Sequence, residues 1–368
     1  MLRKDLSMQM SQVTSSISST ISLSKSSLSN LKTGVLIVNL GTPDSPSVPD
    51  VRKYLREFLM DGRVIDIPFM LRWMLINLII APFRAPKSAK IYKELWEERG
   101  SPLKFYGEDV ERMLQEKLGN AYEVKLAMRY QSPSIDNALE QFRTSGFKKI
   151  IVVPFFPQYA SASTGSVFEK VMKIVSGWQI IPEIKFTNTF FDHPKFIEHF
   201  TQAARNYMAK TSFDHFLFSY HGLPERQMRK GDCTGNTCQF GTCCDSLHAM
   251  NQYCYRAQCF ATTRLMVKEL GLQEGTYTTS FQSRLGNDPW IKPYTDEVIK
   301  DLAKAGKKSV LAFSPAFVSD CLETTIEVGE EYKEIFEEHG GKHWQLVESL
   351  NNSPLWVALL ADLVENHQ

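Results

Sequence analysis

A histidine follows an apolar run at a point where an imidazole can take up a proton. The run HFLFSY is typical of a buried strand, and His221 comes directly after it, before a glycine and a proline that turn the chain. In parallel sheets ligands bind beyond the carboxyl ends of the strands. Imidazole ionises near about pH 6.5, so His221 is a candidate proton acceptor or metal ligand. The other seven of the eight histidines lack this setting and are interpreted as structural or surface residues.

Acidic residues follow a second apolar run, SVLAFS. Asp320 comes first, and Glu323, Glu327 and Glu331 then recur every fourth residue in a segment of helical pattern. Neighbouring like charges on one helix face cost a few tenths of a kcal/mol unless they share a cation. Two interpretations stay open. The row is either a solvated acidic face, or a path for protons or a divalent cation that begins beside His221 at the carboxyl ends of the strands. Oxygen ligands alone would hold such a cation loosely.

Five of the seven cysteines are concentrated in one short stretch. They are Cys233, Cys238, Cys243, Cys244 and Cys254. No secretory signal precedes them, which favours a reducing compartment and a role as ligands. Thiolates suit an iron–sulfur cluster, and the two-residue spacing of zinc ribbons is absent. Structural zinc, free thiols and disulfides remain the alternatives.

The elements that must hold these side chains alternate along the chain. Apolar or β-branched runs recur at residues 35–40, 122–130, 148–156, 215–220, 276–281, 309–314 and 344–350, with segments of helical period between them. This alternation predicts an α/β fold of parallel sheets covered on both faces. Seven or more strands are more than a single doubly wound domain usually holds, so we expect two similar sheets. We place the break between them near residues 188–193.

Composition narrows the class further. The chain has 368 residues, is 43% hydrophobic and carries a formal net charge of +1, so it can bury a large core and has no basic footprint for nucleic acid. Residues 1–33 form a Ser-rich leader that we expect to be a flexible tail. A transit peptide is the alternative, although Arg3 is its only arginine and Asp5 interrupts it.

Residues 64–83 are strongly apolar. Arg72, Asn77 and two prolines interrupt them, so the purely apolar pieces are too short to cross a bilayer. Burial in the core is one interpretation. The other is an exposed lip for a flat hydrophobic ligand or a membrane surface.

Eight motifs in order resemble the ferrochelatase family over residues 33–368. They are TGVLIVNLGTPDSP, ERGSPL, MRYQSPSI, PFFPQYASASTGS, FSYHGLPER, FQSRLGNDPWIKPYTDE, FSPAFVSDCLETTIE and ESLNNSPLWVALLADLV. The resemblance implies two Rossmann-like lobes with a porphyrin cleft between them, at residues 34–190 and 191–368, and a final helix that packs back on the first lobe. It also implies an enzyme of haem biosynthesis that inserts Fe(II) into protoporphyrin IX and releases two protons.

The resemblance also implies roles for individual residues. His221 matches the family's proton-accepting histidine and Glu323 its partner carboxylate, with Asp320 the nearby acid. We therefore expect these three residues to be catalytic, with Glu323 and Asp320 as a proton relay or iron-side ligands, and His221 and Glu323 to contact the substrate Fe²⁺. Arg129 and Tyr130 match the opposite cleft wall. Ser101, Gln282 and Trp290 match residues that contact the porphyrin, and residues 64–83 match the lip.

Relative to other ferrochelatases, the cysteine-rich residues 233–254 resemble an insertion. Some members of the family carry a 2Fe-2S cluster, and we expect four of the five cysteines to hold one here. A porphyrin or haem carrier without chemistry, or an iron–sulfur redox sensor, are the alternatives. The expected location is the cytoplasm, with contact at the inner membrane surface and organellar targeting less favoured. The oligomeric state, monomer or homodimer, and the choice between protoporphyrin and coproporphyrin stay open.

Overall fold

The computed structural model describes residues 32–286 and 288–367, and it contains two four-stranded sheets. The predicted Ser-rich leader therefore lies outside the described residues up to residue 31. The first sheet comprises β1 (Thr33–Gly41), β2 (Tyr122–Tyr130), β3 (Lys149–Pro154) and β4 (Glu183–Phe186), in the order β2-β1-β3-β4. All neighbouring strands are parallel. The central strands are almost wholly apolar because helices cover both faces.

The second sheet repeats this topology. It comprises β5 (His215–His221), β6 (Tyr277–Gln282), β7 (Ser309–Phe313) and β8 (His343–Leu346), in the order β6-β5-β7-β8, again all parallel. The predicted α/β class with two similar parallel sheets is confirmed. The short strand β4 was not predicted, because its four residues alternate between exposed and half-buried and form no apolar run.

Twelve α-helices connect and cover the strands in the described part of the chain. They are α1 (Val48–Leu59), α2 (Phe69–Met74), α3 (Ala81–Leu95), α4 (Pro102–Leu118), α5 (Ile135–Thr144), α6 (Ser166–Val175), α7 (Pro194–Met208), α8 (Glu225–Gly231), α9 (Tyr255–Leu270), α10 (Thr295–Lys304), α11 (Tyr332–Glu338) and α12 (Pro354–Glu365). Several begin at the sequence signals expected of helix starts: the Ser47 and Ser353 side chains cap α1 and α12, each followed by proline in the first turn.

Three π-helical segments interrupt this regular pattern within the described residues. They are Leu75–Ile80, Ser161–Gly165 and Leu322–Glu331. The last follows β7 and carries three of the predicted acidic residues. The sequence indicated a helix there, but its widened turn was not predicted. π-Helical turns are rare and occur frequently at functional sites.

The core joins the two sheets. The largest buried cluster contains Val35 and Ile37 of β1 together with Phe218 of β5. Helix α12 contributes the fully buried Trp356, whose ring centroid lies 5.0 Å from that of Phe155 and 5.4 Å from that of Phe190. The last helix of the chain thus packs beside the end of β3 in the first sheet.

Candidate active site

His221 is the last residue of β5 and is half-buried at the carboxyl edge of the second sheet. Its Nδ1 lies 2.7 Å from the carbonyl oxygen of Gly222. The hydroxyl of Tyr255 donates to the backbone carbonyl oxygen of His221 at 2.9 Å. A ring nitrogen this close to a carbonyl acts as the donor, so the neutral imidazole carries its proton on Nδ1. The lone pair of Nε2 is then available to accept a proton.

Gly222 brings His221, Gln282 and Trp290 together. Its N–H donates to the carbonyl oxygen of Gln282 at 2.8 Å. A Cβ at this position would lie 2.7 Å from that oxygen and 3.1 Å from the indole ring of Trp290. Only glycine allows the end of β5 to approach β6 and Trp290 this closely, which explains why a glycine follows the histidine.

Gln282 links the second sheet to the π-helix that follows β7. Its Oε1 accepts from Ser219 at 2.7 Å, and its Nε2 donates to the carbonyl oxygen of Glu323 at 2.9 Å and to Glu327 Oε2 at 3.0 Å. The amide is buried and fully hydrogen-bonded. Gln282 therefore holds the backbone of Glu323 in place relative to β5 and β6.

Glu323 lies beside residues of the first half of the chain. Burial raises the pKa of Tyr54 on α1 and of Tyr92 on α3, and the negative charge of Glu323 contributes to both shifts. The Cys321 thiol is also buried, and its pKa is raised by burial and then by Glu323. The carboxylate predicted as the partner of His221 thus reaches the helices around the lip.

Glu327 is occupied by hydrogen bonds. It accepts from Gln282, from Ser283 Oγ at 2.5 Å and from Tyr332 at 2.9 Å. Glu331, one further turn along, is exposed; burial and then the charge of Glu327 raise its pKa, while Lys87 acts against them. Of the predicted acidic row, Glu327 has its oxygens engaged by the protein and Glu331 reaches the surface.

Asp320 has a different environment from Glu323. Its Oδ1 accepts from the backbone of Ser349 at 3.3 Å and its Oδ2 from the Asn351 side chain at 2.8 Å. Its backbone N–H donates to Asn351 Oδ1 at 2.9 Å. Burial raises the pKa of Tyr106, with Asp320 the next cause, so the carboxylate faces α4. Both oxygens of Asp320 therefore anchor the turn before α12.

Arg129 and Tyr130 close the end of β2 around an acidic residue that the sequence analysis missed. Arg129 Nη2 donates to Asp61 Oδ2 at 2.6 Å and the Tyr130 hydroxyl donates to the same oxygen at 2.9 Å. Ser166 Oγ donates to it at 2.5 Å. Burial raises the pKa of Asp61, but these hydrogen bonds and the Arg129 charge outweigh it, so the net shift is downward. The sequence feature that could have indicated this role is the position of Asp61, two residues after the end of α1.

Ser101 and Trp290 are both largely buried. The Ser101 hydroxyl accepts from Thr42 at 2.9 Å, which joins the start of α4 to the loop after β1. The Trp290 indole N–H donates to the carbonyl oxygen of Leu285 at 2.9 Å. The polar atoms of both residues are engaged within the protein.

The predicted lip is an exposed apolar surface. It comprises α2, the following π-helix and the start of α3, and its exposed large apolar side chains are Phe69, Met70, Leu71, Trp73, Met74, Leu78, Ile79 and Phe83. Arg72, one of the polar residues that interrupt this segment, is hydrogen-bonded within it: Nη1 donates to the carbonyl oxygens of Ile65 and Ile67 at 3.0 Å each. Burial of the segment in the core is therefore wrong for these side chains. No helix among the described residues is long and apolar enough to cross a membrane.

The cysteine-rich insertion carries one short 3-10 turn, Thr242–Cys244. Cys243 Sγ lies 3.7 Å from Cys244 Sγ. A hydrogen bond between the Cys244 and Cys254 thiols raises the pKa of Cys244 and lowers that of Cys254. Burial raises the pKa of Cys238, and Cys243 is its next cause. Cys233 is exposed.

Four of the five thiols thus gather in one part of the insertion. Side chains fix the loop around them: Asp232 accepts from the N–H groups of Thr237 and Cys238, and Asn251 Nδ2 donates to the carbonyl oxygens of Cys243 and Ser246. As placed, however, no group of three or more His, Cys, Asp or Glu side chains within the described residues is arranged to hold a metal ion.

Comparison with solved structures identifies the fold. The chain is similar to SirB from Bacillus subtilis with Fe3+, at a TM-score of 0.51 and 12% identity, covering 91% of this chain and 95% of that one. The sirohydrochlorin chelatase SirB from Bacillus subtilis subspecies spizizenii, in complex with cobalt, has the same TM-score at 10% identity. At these identities the likeness concerns the fold, which is that of the chelatases.

Sequence comparison identifies the family within this class. The family model described as Ferrochelatase matches residues 32–368. The chain is 43% identical to a ferrochelatase of Legionella pneumophila (strain Lens) over 334 residues, which cover 91% of this chain and 99% of the relative. It is 42% identical to one of Coxiella burnetii (strain Dugway 5J108-111) over 336 residues, 91% and 94% of the two chains. The chain belongs to the ferrochelatase family, as its motifs predicted.

Proposed function

We infer that the chain is an enzyme that inserts ferrous iron into protoporphyrin IX, with release of two protons. The observation that carries this inference is the ferrochelatase family match over residues 32–368. Nothing in the comparisons supports a carrier or a redox sensor. An anaerobic assay of ferrous insertion into protoporphyrin and coproporphyrin tests it directly: no haem product from either porphyrin would refute it.

His221 is proposed as the acceptor of the porphyrin protons. A porphyrin has two N–H groups inside a planar ring, and both protons must leave before Fe²⁺ can bind the four nitrogens of the resulting dianion. In the neutral imidazole, the contact between Nδ1 and the Gly222 carbonyl leaves the lone pair of Nε2 free to accept a proton. General-base catalysis of this kind contributes typically about 10²- to 10⁴-fold.

The acidic residues of the π-helix are proposed to serve protons or iron. Glu323 is the first member of the row, and Gln282 holds its backbone beside the end of β6. Glu331 is exposed and would be the outer end of such a path. Glu327 lies between them but has three hydrogen-bond donors, so it would pass a proton or cation only if one of these contacts opened. Asp320, the other predicted relay or iron-side acid, has both oxygens hydrogen-bonded at the turn before α12, so it would pass a proton or bind iron only if one of these contacts opened.

The macrocycle would be bound mainly by apolar contact. The exposed lip provides such surface, and binding energy from it can be used to bend the ring, a distortion of about 1–5 kcal/mol. Trp290 is largely buried and stays a predicted porphyrin contact. Arg129, Tyr130 and Ser101 remain predicted porphyrin-wall residues. Their hydrogen bonds to Asp61 and Thr42 support a role in holding the wall rigid.

The lip is also proposed to touch a membrane surface. Its large apolar side chains are exposed, with Phe83 at 79%. The next helix, α3, adds the exposed cations Arg84, Lys87, Lys90 and Lys93. An apolar surface beside cations binds reversibly to anionic bilayers. This favours a cytoplasmic enzyme that attaches peripherally to the inner membrane.

The proposed domains are two lobes at residues 34–190 and 191–368.

We further propose that the insertion holds a 2Fe-2S cluster. The support is the gathering of Cys238, Cys243, Cys244 and Cys254, and the Cys243–Cys244 sulfur separation of 3.7 Å. Two sulfurs bound tetrahedrally to one metal at about 2.3 Å would lie about 3.8 Å apart. The exposed Cys233 is the least favoured of the five. Because the described residues contain no complete metal-binding group, the loop would have to tighten on binding.

Such a cluster would stabilise the insertion by cross-linking it, and it takes no part in the proton transfer proposed above. Purified protein should then absorb visible light without added porphyrin and contain about two iron and two acid-labile sulfide per chain. Colourless protein containing zinc, or protein with free thiols and no metal, would contradict the cluster while leaving the chelatase function untouched.

A further inference from the structure

A cavity of about 460 Å³ lies against α1, and none of its lining residues belongs to the active site described above. It is lined by Pro49, Arg52, Lys53, Arg56, Glu57 and Gln131. Arg52 and Lys53 are adjacent, and each lies three or four residues from Pro49 and from Arg56, so the four share one side of α1. Val51 and Leu55 face the core. Gln131 follows β2, so the cavity lies between α1 and the turn after that strand.

The residues that line the cavity carry an excess of positive charge. Arg52, Lys53 and Arg56 contribute three cations against the single carboxylate of Glu57. Within the described part of the chain, no acidic side chain lies within 4.0 Å of either arginine, and Lys53 has only the exposed Asp44, at 3.2 Å. Like charges one turn apart on a helix repel by a few tenths of a kcal/mol. A bound anion shared by the three would remove that cost.

Two polar atoms of the lining have no hydrogen-bond partner. Arg52 Nε is a buried donor and Gln131 Oε1 a buried acceptor, and Gln131 as a whole is only 7% exposed. Glu57 already accepts from the N–H and the side-chain amide of Gln131, so it orients that amide and leaves Oε1 as its remaining acceptor. Buried polar atoms without partners are uncommon because each costs about 1–3 kcal/mol. Both atoms are closed off from solvent, so a ligand reaches them only if the side chains of the lining shift; one that accepts from Arg52 and donates to Gln131 would then satisfy both.

We propose that this cavity binds a small phosphomonoester. The phosphate oxygens accept from Arg52 and Arg56, whose planar guanidinium groups suit phosphate, and Lys53 adds charge. A hydroxyl of the organic part donates to Gln131 Oε1. The volume exceeds the space that a bare phosphate fills and lies within the range of about 300–1,000 Å³ typical of small-molecule sites. The ligand would bridge α1 and the end of β2, so its binding stabilises the folded chain.

Isothermal titration calorimetry of the full chain, in a buffer without phosphate, tests the site with glycerol 3-phosphate and with inorganic phosphate as probes. We expect saturable binding of the ester, a rise in Tm, and weaker binding of inorganic phosphate. The double variant R52Q/R56Q should bind the ester about 10- to 100-fold more weakly, because two charge-assisted hydrogen bonds are lost.

The control is K90Q/K93Q, which removes the same charge from exposed positions of α3 outside the cavity. If the double arginine variant fails to fold, the single R56Q at an exposed position serves instead. The proposal is overturned if the ester does not saturate, if inorganic phosphate binds as tightly as the ester, or if the control weakens binding as much as the arginine variant.

Discussion

Replacement of Gly222 by alanine should separate the catalytic histidine from the residues that position it. The added Cβ would lie 2.7 Å from the carbonyl oxygen of Gln282, closer than the roughly 3.0 Å limit of real contacts, and 3.1 Å from the Trp290 ring. The oxygen belongs to the backbone of β6 and cannot rotate away. The end of β5 must therefore shift by several tenths of an ångström, weakening the Gly222-to-Gln282 hydrogen bond of 2.8 Å.

The magnitude follows from that displacement. Forcing one extra carbon into a packed site costs about 1–3 kcal/mol of unfolding free energy. His221 is the neighbouring residue, so its imidazole moves with the backbone, and a misplacement approaching 1 Å can lower a rate by about 10²-fold. For a smaller shift we expect kcat for ferrous insertion to fall by roughly 10- to 100-fold, with a smaller change in KM for the porphyrin.

Urea unfolding and an anaerobic insertion assay measure the two effects. Gly231→Ala is the matched control, because Gly231 has ordinary backbone angles and no atom within 4 Å of the added Cβ. We expect the control to stay within about 0.5 kcal/mol and twofold of the parent chain. If Gly222→Ala matches the control in both stability and kcat, the close packing at the end of β5 does not position the histidine and the reasoning fails.

Three further changes test other parts of the site. His221→Ala should lower ferrous insertion by about 10²- to 10⁴-fold while porphyrin binding, followed by absorbance titration, persists; a loss below tenfold would exclude it as the proton acceptor. Asp61→Asn removes the negative charge of a buried ion pair and should cost about 3–5 kcal/mol of stability in urea unfolding at pH 7. Because the folded pKa of Asp61 lies below the unfolded value of about 3.9, that contribution is present above this pH and is lost as pH falls through the folded pKa. The difference between the two chains should therefore shrink in acid, and a pH-independent difference would argue against the charge. The double variant L78S/I79S should weaken sedimentation with anionic vesicles severalfold and leave Tm nearly unchanged, since both side chains are exposed; unaltered sedimentation would remove the lip from membrane contact.

Much of both sheets, and the position of His221, could be predicted from local sequence. Strands β1, β5 and β7 are continuous apolar runs because helices cover both of their faces, and such runs are legible without the fold. His221 could be placed at a sheet edge because it follows one of these runs directly. The order of eight motifs identified the family for a similar reason: each motif is a local stretch of sequence.

Features that depend on partners distant in sequence were not predictable. Strand β4 is half-exposed at a sheet edge, so its pattern resembles that of a loop. Asp61 is one acidic residue among many until Arg129, Tyr130 and Ser166 are found around it. The exposure of residues 69–83 depends on which neighbouring elements cover them, and composition alone allowed both a buried and an exposed interpretation.

The sequence by itself determined which segments are strands and helices, where their apolar faces lie and to which family the chain belongs, because periodicity and motifs are properties of neighbouring residues. Only the tertiary structure decided how Gln282 joins β6 to the π-helix, which thiols of the insertion meet, and that Arg52 and Arg56 line a cavity with a single carboxylate. The contacts of Gln282 and those between α1 and Gln131 join residues 41 to 74 positions apart, and they exist only once the chain has folded.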